Sequence, residues 1–158
     1  MATVLSTVNI VNAEEVMAYQ PPPLLIMNFC RKYEVSEPEA RQQFEECKKF
    51  LIVCAEKPDK THAPSLIIDE MWHSFVLHTQ EYAKFCTQHF SQFIHHSPSD
   101  EPAKSAYKRT LTALRLRFGK LNPIYWPQGK AGDCSTPSEC GGDGGSGEGG
   151  CTSRCTGA

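Results

Sequence analysis

The sequence lacks any apolar run long enough to cross a membrane. No window approaches the ~18–20 consecutive apolar residues that a spanning helix needs. Its opening stretch, Met1-Ala-Thr-Val-Leu-Ser-Thr-Val-Asn-Ile10, lacks the basic start and continuous apolar segment of a signal peptide. A soluble, cytoplasmic protein with no membrane partner is therefore expected. The chain also lacks a charge excess: 16 Lys and Arg stand against 18 Asp and Glu, a formal net charge of −2. That balance supplies no global pull toward nucleic acid or anionic lipid. Outside the helical patterns no stretch makes a convincing strand.

What is present suits one domain and a tail. A length of 158 residues with 40% hydrophobic side chains can bury a core without crosslinks. Residues 1–20 read as an N-terminal segment, irregular apart from a short helix near Ala13–Tyr19. Residues 21–127 read as a helical domain. Residues 128–158 are rich in Gly, Ser, Thr and Cys, with too little apolar surface to offset the entropy of ordering, and are expected to be disordered. The expected fold is all-α, a single bundle of about five helices with a disordered Gly/Cys-rich tail.

Local signals place the helices. Pro21-Pro22-Pro23 ends one segment and opens the next, where Leu25, Ile26, Phe29 and Tyr33 share a side. Ser36-Glu-Pro-Glu39 is a capping box, followed by Ala40, Phe44, Cys47, Phe50 or Leu51, and Cys54 at helical spacing. Glu37, Arg41, Glu45, Lys48 and Lys49 are expected to cover the outside of that helix. Pro58–Pro64 reads as a loop holding a solvated His62, and Ser65 as the cap of the next helix. Thr79 reads as the cap of a further helix to about Phe90. After an extended Ile94-His-His-Ser-Pro98, a last helix from about Pro102 to Lys120 carries the stripe Tyr107, Leu111, Leu114, Phe118. The aromatic strap 122–127 is expected to pack back on the bundle.

The chemistry concentrates in the middle. Five of the six histidines fall between His73 and His96. Asp69 and His73, four apart, stack on one helix face, and Tyr82, Cys86 and His89 recur at i, i+4 and i+7 on the next. Imidazole, thiolate and carboxylate are zinc ligands, and a structural site takes four in a tetrahedron. Asp69, His73, His95, His96 and Cys86 are the candidate ligands of zinc or another divalent metal, with Trp72, Tyr82 and His89 in support. The spacing matches no paired Cys-x-x-Cys pattern.

The rival reading is a metal-free interaction domain in which Asp69 hydrogen-bonds His73, Tyr82 reaches Asp69, and buried polar groups satisfy one another. Trp72, Phe75 and Phe93 are expected to be packing residues. A thiol enzyme built on Cys86, His73 or His96, and Asp69 is a third reading, but a mid-helix cysteine lacks the lowered pKa of one at a helix N-terminus. An enzyme is not the favoured reading, and no catalytic residue is assigned.

The basic residues Lys104, Lys108, Arg109, Arg115, Arg117 and Lys120 read as a solvated face, so nucleic acid is not an expected partner. A monomer with a protein partner is. Of eight cysteines, Cys30, Cys47, Cys54 and Cys86 fall in apolar patterns, as small hydrophobes. Cys134, Cys140, Cys151 and Cys155 in the tail could capture a soft metal or stay reduced in a linker.

The run Asp69-Glu-Met-Trp-His73, then Thr79-Gln-Glu-Tyr82-Ala-Lys-Phe-Cys86, then His95-His96-Ser-Pro98, resembles the bacterial glycine-rich domain-containing protein-like family, related to the first domain of plant glycine-rich domain proteins. The resemblance covers roughly residues 20–127, the tail in composition only. It implies a functional set of Asp69, Trp72, His73, Tyr82, Cys86, His95, His96 and Pro98, and no established reaction. Plant relatives often carry a second histidine where this chain has Phe75, so a two-histidine helix site is not expected.

Overall fold

A computed structural model describes residues 10–98 and 103–128, and the backbone of 153–157. Expectations falling on 1–9, 99–102, 129–152 and 158, including the start of the last helix and the tail thiols Cys134, Cys140 and Cys151, lie outside the described residues. Six helices carry the described fold: α1 (Ala13–Ala18), α2 (Pro23–Tyr33), α3 (Glu37–Glu56), α4 (Leu66–Leu77), α5 (Thr79–Phe90) and α6 (Ala103–Phe118). Two short strands, β1 (Ile94–Pro98) and β2 (Ser153–Gly157), complete it.

Each helix end has a local cause. Asn12 caps α1 by accepting from the Glu15 amide at 3.3 Å. Pro23 stands in the first turn of α2, where its missing N–H costs nothing. Both halves of the Ser36/Glu39 box form, at 3.4 and 2.9 Å. Ser65 caps α4 through the Ile68 amide. The next boundary differs from expectation: Thr79 is already helical and His78 is the cap, its ring nitrogen 3.0 Å from the Ser74 carbonyl. Gly119 closes α6 at φ 80°, with open space where a Cβ would sit, so backbone conformation is what favours glycine there.

Helix α3 is the centre, packed by α1, α2, α4 and α6. Its Ala40, Phe44, Cys47, Phe50, Leu51 and Cys54 are buried, and so are Tyr107, Leu111 and Leu114 of α6. Phe44, Phe75 and Phe85 meet edge to face at 5.2 and 5.3 Å. Lys48, expected outside, is fully buried. The end of α1 lies over it, and its ammonium donates to the Met17 and Tyr19 carbonyls at 2.6 and 2.8 Å and pairs with Glu45 at 2.8 Å. Glu46 is buried beside it, accepting from the Trp126 indole at 2.7 Å and from Lys49 at 2.8 Å. Trp126 thus anchors the strap, with the Tyr107 hydroxyl donating to the Pro127 carbonyl at 2.9 Å.

The described residues are helical apart from these two short strands, and β2 is the one described segment beyond residue 128. β1 and β2 pair antiparallel, Ile94 opposite Gly157 and His96 opposite Cys155. Pro98 keeps Ser97 out of the helical region, and an extended edge seeks a partner. A five-residue polar strand such as β2 carries too little pattern to be read alone. No helix among the described residues is long and apolar enough to cross a membrane. Cys30, Cys47 and Cys86 are free thiols, whereas Cys54 is disulfide-bonded, a pairing its apolar setting alone could not reveal.

His62 also departs from expectation, being only 1% exposed. Arg109 donates to the Thr61 carbonyl at 2.9 Å, and the Ala63 amide to Thr110 Oγ1 at 3.0 Å, which folds the loop onto α6. Burial, then the charges of Arg109 and Lys57, push its imidazole down to about 4. In the unfolded chain it takes a proton near pH 6.5, while the folded protein refuses it until about 4. Its contribution to stability is therefore complete above pH 6.5 and lost as pH falls toward 4. Urea unfolding at pH 7, 5.5 and 4 is expected to show wild type losing roughly 2–3 kcal/mol more than His62→Gln over that interval.

Candidate functional site

Helix periodicity sends Ile68, Met71, Trp72 and Phe75 of α4 into the core and leaves Asp69 half-buried and His73 exposed on its flank. On α5 the same periodicity buries Tyr82, Phe85, Cys86 and Phe90. Ser91, left-handed at φ 54°, ends α5, and β1 follows three residues later.

A chain of hydrogen bonds ties these elements together. The Trp72 indole donates to the Tyr82 hydroxyl at 3.0 Å, and that hydroxyl donates to the Ile94 carbonyl at 2.6 Å. The His96 Nε2 donates to Asp69 Oδ1 at 2.9 Å. The His96 ring lies 4.3 Å from that of Trp72 and 5.4 Å from that of His73. Asp69 therefore pairs with His96 across the fold and not with His73 along the helix, and Tyr82 reaches Ile94 and not Asp69. Phe93 packs edge-on against Tyr82 at 5.3 Å and against His95 at 4.7 Å.

The double imidazole splits. A strand points successive side chains to opposite faces, so Ile94 and His96 turn inward while His95 is exposed. His89 leaves the cluster too: its ring packs on Phe85 at 5.0 Å and Tyr19 at 5.8 Å, and neither ring nitrogen has a hydrogen-bond partner. Burial pushes its pKa down. Among the described residues no three His, Cys, Asp or Glu side chains converge as a metal site would require. Asp69 and His96 meet, with His73 alongside; Cys86, His89 and His95 are not brought to them.

The thiol is equally constrained. Cys86 is fully buried, and desolvation raises its pKa, an effect that its contacts with the Ile94 backbone and the Tyr82 side chain oppose. Burial pushes the Cys47 thiol up as well, with the Asp69 charge adding to it. A thiolate nucleophile is disfavoured at either position. Glu70 next to Asp69 has its carboxyl raised by burial and then by the Asp69 charge. Of the tail thiols, Cys155 belongs to β2 by its backbone, and the other three lie outside the described residues. Sequence reasoning found Trp72, Tyr82, Asp69 and His96 but missed the Ile94 carbonyl; the alternation in Ile94-His-His-Ser-Pro98 was the available signal.

A family model described as UCP032817-like matches residues 12–120. This corrects the resemblance to the glycine-rich domain-containing protein-like family: the match ends before the glycine-rich tail, whose composition carried part of that likeness. No curated protein and no solved structure matches the chain.

Replacing Tyr82 by Phe removes one oxygen and strands two buried groups, the Trp72 N–H and the Ile94 carbonyl. Denaturant titration is expected to show a loss of about 1–3 kcal/mol. A variant as stable as wild type would mean that the hydroxyl does not join these elements.

Proposed function

We propose, for a chain that belongs to the UCP032817-like family, that it acts as a small helical protein-interaction module and not as an enzyme. The observation that carries this reading is the hydrogen-bonded set Trp72–Tyr82–Ile94 with Asp69–His96, which fixes β1 against α4 and α5 without calling on a metal. Buried polar groups that satisfy one another rigidify the scaffold around them. The rim they hold in place is exposed and rich in rings: His73 beside His96, and Phe93 against His95. Aromatic and imidazole side chains on a rigid frame suit protein recognition, because little side-chain entropy is lost on contact. Against a thiol enzyme stands the burial of Cys86, which keeps the proton on sulfur and substrate away from it.

Metal analysis of untagged protein tests the frame. We expect clearly substoichiometric zinc, and a thermal midpoint unchanged by chelator in wild type and in Asp69→Asn, with the variant lower in both conditions. Stoichiometric zinc lost in Asp69→Asn and His96→Gln would replace this reading with a metal centre at the same residues. The rim has its own test. A photo-crosslinking residue at position 95 is expected to give a discrete protein adduct that Phe93→Ala weakens at unchanged thermal midpoint. Adducts insensitive to Phe93→Ala would remove the rim from the proposal.

A further inference from the structure

A second concave region lies away from the Asp69–His96 pair and shares no residue with it. The loop joining α3 to α4 and the outer side of α6 line a half-open cavity of about 400 Å³, a size that suits a small molecule. Lys57 and Lys60 enter from the loop, and Lys108 and Arg109 from α6. Buried His62 also lines it, and Ala113 with Leu116 supplies an apolar wall. Leu116 is 80% exposed, an unusual position for a leucine that nothing covers.

Its electrostatics are one-sided. No acidic side chain lines the cavity among the described residues. Among the described residues, Asp59 pairs loosely with Lys60 of the cavity at 3.7 Å, and Glu56 takes Arg117, outside it, at 3.1 Å. Arg109 is held in place by the Thr61 carbonyl at 2.9 Å and by Ser105 Oγ at 3.0 Å, so its guanidinium is positioned before any ligand arrives. Burial first lowers the pKa of His62, and the charges of Arg109 and Lys57 lower it further against the smaller opposing effect of Asp59. Such a concentration of cations stands out in a chain whose net charge is −2.

We propose that this cavity binds a small phosphate ester, its dianion among Lys57, Lys60, Lys108 and Arg109 and its apolar body along Ala113 and Leu116. The cations lining the cavity outnumber the carboxylates described beside them, and a phosphate monoester offers up to two charges and three acceptor oxygens. The apolar wall distinguishes an ester from bare phosphate. The absence of a stacking platform among the lining residues favours a small ligand over a nucleic-acid strand.

Phenyl phosphate, inorganic phosphate and a short oligothymidylate are the probes, followed through the His62 ring resonances at constant ionic strength. Phenyl phosphate is expected to shift them saturably, to raise the pH at which His62 titrates, and to bind about tenfold more tightly than inorganic phosphate, from burial of the ring. Lys57→Ala and Lys108→Ala, at exposed positions, are each expected to weaken binding about tenfold, as loss of a charge-assisted hydrogen bond would. Lys120→Ala, outside this cavity, is expected to leave it unchanged. The proposal is overturned by the absence of a saturable shift, by equal weakening in Lys120→Ala, or by tighter binding of the oligothymidylate than of phenyl phosphate.

Discussion

One oxygen joins three elements. The Tyr82 hydroxyl, on α5, takes the proton of the Trp72 indole on α4 and gives its own to the Ile94 carbonyl at the start of β1. All three groups are buried, and a buried partner left unmet costs about 1–3 kcal/mol. This fixes where β1 begins and which way its first residue faces. Strand parity then carries the choice forward: with Ile94 inward, His96 is inward two residues later and falls on Asp69. The Asp69–His96 pair is thus a consequence of where Tyr82 stands.

The helices were legible because their signal is local. The stripes of α3 and α6, the Ser36 box and the Ser65 cap each depend on residues within about a turn of one another. The site was legible only in its membership. Spacing placed Asp69 and His73 on one face, yet the partner of Asp69 came from 27 residues away, a distance that periodicity cannot address. His95 and His96 looked like a pair because adjacent residues invite that reading. On a strand, adjacency is what separates them. His62 was misread for a related reason: a polar loop looks solvated until hydrogen bonds to Thr61 and Ala63 draw it onto α6.

Two buried charges explain how a helix of mixed polarity occupies the centre. Lys48 and Glu46 of α3 lie close in sequence and serve opposite ends of the chain. The ammonium satisfies the carbonyls that end α1, while the carboxylate receives the indole of the strap that follows α6. Neither replaces a hydrophobic contact; each closes backbone or side-chain groups that would otherwise be buried unmet. Removing one partner of such an arrangement leaves the other charge uncompensated, which costs far more than the pair contributes. α3 therefore organises the fold by polar closure at its flanks as much as by the apolar rings between them.

The span that defines the family runs from Asn12, the cap of α1, to Lys120, just past Gly119. It contains the Tyr82 joint, the Lys48 contacts and the walls of the cationic cavity. Trp126 and β2 lie beyond it, yet both close polar groups that lie within it. Trp126 completes Glu46, and β2 covers the edge of β1, whose unpaired amides and carbonyls would otherwise offer a template to another strand. Hydrogen bonding in the described structure thus extends beyond the matched span. The outer segments belong to the structure because the core presents hydrogen-bonding groups that apolar packing cannot satisfy.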